Sequence, residues 1–151
     1  MSLLIPSPKQ KSRDDEVKKP HRVPIRLSQA LIVAASKYYS AKGKSRWFDE
    51  AIADLLARST YADADWTDRN NSDTSSFMAL LSLNEKLVDA KGDTILLSPD
   101  TLHDLTSAVE NITKLYPSEA TRIRPAIIRA AVKQRILLNG LLWAEAFGEE
   151  E

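Results

Sequence analysis

Apolar and polar positions change period twice along this chain, each time from two to about three and a half. Over Arg22-Val23-Pro24-Ile25-Arg26-Leu27-Ser28, apolar Val23, Ile25 and Leu27 alternate with Arg22, Pro24 and Arg26. That alternation predicts a short strand with one buried face. Ser28 then stands where an N-cap belongs, and Ile32, Ala35 and Tyr39 follow at helical spacing up to Gly43, which predicts a first helix. After the turn Lys42-Gly43-Lys44, Ser45 is placed as a second N-cap. Trp47, Phe48, Ala51, Ile52, Leu55 and Leu56 then form one stripe of a second helix.

The same order recurs downstream. A shift of seventy residues lays Ile25 on Ile95, Leu27 on Leu97, Ser28 on Ser98, Ile32 on Leu102, Ala35 on Leu105 and Tyr39 on Val109. Pro99 follows Ser98 at a first helical position, where its missing amide hydrogen does no harm. A shift of eighty lays Trp47 on Ile127, Phe48 on Ile128, Ala51 on Ala131, Ile52 on Val132 and Leu56 on Ile136. The difference between the shifts places about ten additional residues near Tyr116-Pro117-Ser118. Two short helices on a short strand bury too little alone, so the two copies are expected to share a core. One alternative stays open: Met78 to Leu83, followed by Asn84-Glu85-Lys86, is itself readable as the second strand and the start of its helix.

The chain accordingly divides into an expected disordered basic arm (1–20), a first strand-helix-helix unit (21–58), a solvated acidic linker with a helix (59–92), a second unit (93–138) and an apolar then acidic tail (139–151). In the linker, Thr60 to Asp73 is polar, with Trp66 isolated among Asp63, Asp65 and Asp68, and Ser75 to Ala90 is expected to be helical. The tail carries Leu141, Leu142, Trp143 and Phe147 after Asn139-Gly140, a stripe that suits packing on the core or on another subunit, and ends in Glu149-Glu150-Glu151.

Charge sharpens this division. Lys plus Arg and Asp plus Glu balance over the chain, yet residues 1–46 hold eleven basic against three acidic residues, and 47–111 hold four against thirteen. A polyanion is attracted to the first segment. Catalysis finds no constellation: there is no cysteine, His21 and His103 fall in different elements, and four glycines compose no phosphate loop. No cofactor, metal or membrane partner is expected. The run Leu3-Leu4-Ile5, cut by Pro6, is too short for a signal or a span, so a cytoplasmic setting is the simple reading.

On Val23-Pro-Ile-Arg-Leu-Ser28, the Gly43-Lys-Ser-Arg46 turn and the Ala51-Ile52 pair, the chain resembles the ribbon-helix-helix superfamily of the Arc, MetJ and CopG repressors. Two units in one chain are similar to the tandem arrangement of TraY-like conjugation proteins. The resemblance implies a mainly α fold with a short β-ribbon, the tandem units forming an intrachain pseudodimer. Pairing between two chains is the alternative.

It further implies that the ribbon enters the major groove of double-stranded DNA, with Arg22, Pro24, Arg26, Thr94 and Leu96 facing the bases. Arg22 and Arg26 suit guanine, whereas Thr94 and Leu96 read less, and Leu96 in particular raises the expectation of a buried, structural second strand. Phosphate contacts fall to Lys44, Ser45 and Arg46 at one helix start, and to Arg122 and Arg124 beside an expected helix start at Pro125. Solvated helix starts are the plainer reading of those cations. The expected role is that of a transcriptional regulator or an accessory protein of plasmid transfer or maintenance. The competing class is a protein-interaction module, antitoxin-like or structural, working through self-association of the apolar tail.

Overall fold

The computed structural model of the protein describes residues 19–147, and the side chains of residues 19–140. Nearly all of the expected arm and the closing acidic run lie outside the described residues. Strand β1 (His21–Leu27) leads into helix α1 (Gln29–Ser36), a 3-10 turn (Ala41–Gly43) and α2 (Lys44–Arg58). A one-turn α3 (Thr60–Asp63) and α4 (Ser72–Leu81) follow. Strand β2 (Lys91–Leu97) then leads into α5 (Pro99–Leu115), a second 3-10 turn (Pro117–Glu119) and the long α6 (Ala120–Phe147). The fold is mainly helical with one small two-stranded sheet.

The two strands pair antiparallel, with Arg22 opposite Leu96, Val23 opposite Ile95, Pro24 opposite Thr94 and Arg26 opposite Gly92. Alternation then decides which side is wet. Val23, Ile25, Leu27, Ile95 and Leu97 are buried on the inner face, while the residues between them are exposed. Pro24 fits a strand because alternate residues of an antiparallel pair aim their amides away from the partner, and a proline there forfeits no ladder bond. Leu96 has the same parity. Its amide donates outward to Ser45 Oγ at 2.9 Å.

Under the inner face lie α2 and α6. Trp47, Phe48, Ala51, Ile52, Leu55 and Leu56 of α2 meet Ile123, Ile127, Ala131 and Val132 of α6, and Leu105, Ala108 and Ile112 of α5 close the core. From Ala126 to Val132 every residue of α6 is buried, as befits a helix surrounded by protein rather than laid on its surface. Each large side chain buried this way contributes about 1.5–3 kcal/mol before entropy is counted. Polar ties fix the rotation of α6 against α2: Arg135 reaches Glu50 at 3.0 Å and Asp54 at 3.6 Å, and Trp47 Nε1 donates to Asn139 Oδ1 at 2.8 Å.

Several expected boundaries move. Helix α1 stops at Ser36, whose hydroxyl donates to the Val33 carbonyl at 2.8 Å, a local bond that competes with continuing the helix. Tyr39 therefore packs on Trp47 and Phe48 from the following turn, with ring centroids 5.4 and 5.9 Å away. The second N-cap is Gly43 rather than Ser45. Helix α6 starts at Ala120, five residues ahead of Pro125, which lies inside it. A proline near a helix start forfeits one bond yet keeps a helical φ.

The expected solvated linker is ordered. Trp66 is half-buried, with its ring centroid 5.3 Å from Tyr61 and 5.8 Å from Phe77, and its indole nitrogen donates to the Tyr61 carbonyl. Asn71 caps α4, and Thr74 donates to the Asp65 carbonyl at 2.7 Å. Hydrogen bonds from the hydroxyl and amide of Thr67 hold the Asp65 carboxyl below its ordinary pKa. The helix there covers Ser72–Leu81 rather than Ser75 to Ala90, and it removes the alternative strand at Met78 to Leu83. It ends as Ser82 turns left-handed at φ 49°. Asn139-Gly140 does not interrupt α6. No helix among the described residues is long and apolar enough to cross a membrane.

Replacing Ile127 by Ala is expected to lower unfolding stability by about 2–5 kcal/mol in urea titration, whereas Leu137→Ala, on an exposed side chain, changes it by under about 0.5 kcal/mol. Equal losses at both positions contradict this placement of the core.

Candidate nucleic-acid interface

The outer face of the ribbon is built from three cross-strand pairs: Arg22 with Leu96, Pro24 with Thr94 and Arg26 with Gly92. All six residues are exposed. The sequence-predicted base-facing residues are thus brought onto one surface, and Leu96, at 41 % exposure, is not buried. Gly92 was missed. Stepping back two residues from Thr94 would have found it, because the period of a strand continues past the last recognisable side chain. Beside Arg26 it leaves open room, since a Cβ there would come no closer than 4.0 Å to the Ile25 carbonyl oxygen. Among the described residues, neither Arg22 nor Arg26 enters an ion pair.

Each end of this face runs into the start of a helix. On the β1 side, a groove of about 400 Å³ is lined by Pro24, Ile25, Arg26, Gly92, Arg124, Pro125 and Ile128, so Arg26 and Arg124 line the same groove. On the β2 side, Ser45 and Arg46 line a second groove with Leu96, Ser98 and Pro20, and with Asp49 and Glu50 behind them. The α2 start has no side-chain cap and carries the partial positive charge of a helix N-terminus beside Arg46.

The expected phosphate cations separate into different environments. Arg46 keeps a mostly exposed side chain and meets only Glu50, at 3.2 Å one turn on, a pairing worth little in water. Lys44 is ion-paired with Asp93 of β2. Ser45 spends its oxygen on the Leu96 amide, so it anchors the strand rather than offering a free hydroxyl. Arg122 and Arg124 are not a cluster. Two residues apart on a helix they point about 200° away from each other, and Arg122 turns instead to Asn84 at 3.1 Å and Glu119 at 3.5 Å.

The chain matches no family model, no curated protein and no solved structure. What the site can do therefore rests on its own geometry.

That geometry is unequal at its two edges. Beside β2, Asp49 accepts from the Ser98 amide at 2.6 Å and from the Thr101 hydroxyl at 2.8 Å, and Ser45 accepts from Leu96. One carboxylate thus ties α2 to the start of α5. The eighty-residue offset that aligns the core stripes lays Ser45 on Pro125 and Asp49 on Arg129. Neither side chain offers an acceptor oxygen. Beside β1, among the described residues, no side-chain hydrogen bond joins the strand to α6, and a groove lies between them.

Asp49→Ala should cost about 1–3 kcal/mol, because a charged acceptor of two bonds is lost, and should speed hydrogen exchange at the Ser98 amide. Ser45→Ala should cost about 1 kcal/mol and do the same at Leu96. Exchange unchanged at both amides would show that these oxygens do not anchor the strand.

Proposed function

We propose that this protein binds double-stranded DNA sequence-specifically, by laying the outer face of the β1–β2 ribbon in the major groove. The chain then acts as an intrachain pseudodimer of two ribbon-helix-helix units. The observation that carries the reading is the outer face of the two-stranded ribbon, where, among the described residues, Arg22 and Arg26 are exposed and enter no ion pair. Such a ribbon fits a groove about 12 Å wide, and Arg22 and Arg26 on its exposed face carry donors of the kind that read that groove.

Recognition follows from the pairs. Arg22 and Arg26 can each donate in bidentate fashion to guanine O6 and N7. Thr94 offers one hydroxyl, Leu96 an apolar contact that suits a thymine methyl, and Gly92 lets the backbone approach. The reader is therefore lopsided: β1 carries polar discrimination, and β2 supplies shape. Phosphates fit the flanks, at Arg46 with the α2 start and at Arg124 across the β1 groove. Arg46 and Arg124 position the ribbon without reading sequence. A cytoplasmic regulator of transcription, or an accessory protein of plasmid transfer or maintenance, uses this chemistry equally.

A second reading has one observation in its favour. Leu137 is 69 % exposed on α6, and with Leu141, Leu142, Trp143 and Phe147 following it in the sequence the segment suits self-association along the helix. Self-association and DNA binding are compatible, since neighbouring copies on a DNA site need a contact away from the ribbon.

The test is binding to duplex DNA over a salt series. Affinity should fall steeply with salt, with a logarithmic slope of about −0.9 per neutralised phosphate. Arg22→Ala with Arg26→Ala should abolish the preference for a selected site, each bidentate contact being worth about 1–3 kcal/mol, while leaving the fold intact. Arg46→Ala with Arg124→Ala should weaken all sequences alike and flatten the slope by about two. No binding at low salt overturns the proposal.

A further inference from the structure

Arg129 is the chemical anomaly of the core. It is 94 % buried on α6, and its Nε has no hydrogen-bond partner among the described residues. A guanidinium is always charged, and a buried one without a counter-charge is strongly destabilising. It lies on the wall of a cavity of about 370 Å³ between α6 and the loop that follows α4, together with Arg122, Pro125, Leu83 and Leu87. Asn84 and Glu85 complete the wall. Glu85 does not neutralise Arg129, because its carboxylate is ion-paired with Lys133, and Asn84 is engaged by Arg122.

Arg129 and Arg122 both line this cavity, where among the described residues the one carboxylate of the wall is held by a third cation and Arg122 meets Glu119, outside the wall, at 3.5 Å. The eighty-residue offset lays Arg129 on Asp49, whose carboxylate accepts from an amide and a hydroxyl at the start of α5, so α6 carries a cation where α2 carries an anion. An oxyanion in the cavity would give Arg129 the counter-charge that no described residue supplies. A guanidinium fork suits the paired oxygens of a phosphate group, while Leu83, Leu87 and Pro125 offer an apolar wall to whatever carries it.

We propose that this cavity is a binding site for a phosphate-type oxyanion, held by Arg129 at its base and Arg122 at its mouth. The cavity lies off the outer face of the ribbon, and the site does not depend on the DNA-binding reading. The phosphate belongs either to a small phosphorylated molecule or to a nucleic-acid backbone, and the two sources separate in the experiment.

Thermal unfolding of the full chain, without DNA, is followed in inorganic phosphate and in chloride at matched ionic strength. Phosphate at about ten times its Kd should raise the midpoint by roughly 3–6 °C over chloride. Arg129→Met should remove that shift while leaving the midpoint in chloride unchanged or higher, since the uncompensated charge is gone. An arginine with a merely structural role would instead leave the phosphate shift in place. Should Arg129→Met not fold, Arg122→Ala, on an exposed side chain, should weaken phosphate binding roughly tenfold in ³¹P line-broadening titrations. In the DNA arm, Arg129→Met with weakened duplex binding assigns the phosphate to the nucleic-acid backbone, and unchanged duplex binding assigns it to a free ligand. A midpoint no higher in phosphate than in chloride, or a shift that survives both substitutions, overturns the proposal.

Discussion

The antiparallel pairing of β1 with β2 is the constraint on which the rest of the molecule depends. Seven residues on each strand alternate sides, so one register sends Val23, Ile25, Leu27, Ile95 and Leu97 inward and Arg22, Pro24, Arg26, Gly92, Thr94 and Leu96 outward. A slip of one residue would exchange the faces, burying arginines over Phe48 and Ile127. The inner set supplies the roof under which α2, α5 and α6 pack, and the same pairing composes the outer surface. Core and candidate site are two sides of one ladder.

Around that ladder the two strands are held differently. Helix α2 grips the edge of β2 with Ser45 and Asp49, and Lys44 pairs with Asp93. Helix α6 brings Pro125 and Arg129 to the corresponding positions and grips nothing with them. Instead it is longer, starts a turn earlier and is buried around its circumference from Ala126 to Val132. The consequence is a groove beside β1 lined by Arg26 and Arg124, and a buried arginine that, among the described residues, enters no ion pair.

Much of this was legible in the residues. The β1 alternation, the Ser28 and Ser98 caps, Pro99 as a first helical residue and the Trp47 to Leu56 stripe all reappear where local chemistry places them, because each depends on neighbours in sequence. What escaped depends on partners far away. Ser45 looks like a cap until β2 brings the Leu96 amide to it. Pro125 resembles a helix start because proline suits that position, but the helix begins beyond the Pro117–Glu119 turn and tolerates it. Trp66, alone among aspartates in sequence, meets Tyr61 and Phe77 only in the fold, and Gly92 has no side chain to announce its place on the face. Arg129 sits within the apolar run Ala126 to Val132, where its burial shows only once the whole helix is surrounded.

The central claim is that the outer face of the ribbon is the working surface. Backbone amide shifts mapped by NMR during titration with a selected duplex test it most directly. The account predicts perturbations concentrated at Arg22 to Arg26 and Gly92 to Leu96, extending to the starts of α2 and α6. Perturbations confined to the far part of α6, or none at low salt, would contradict it.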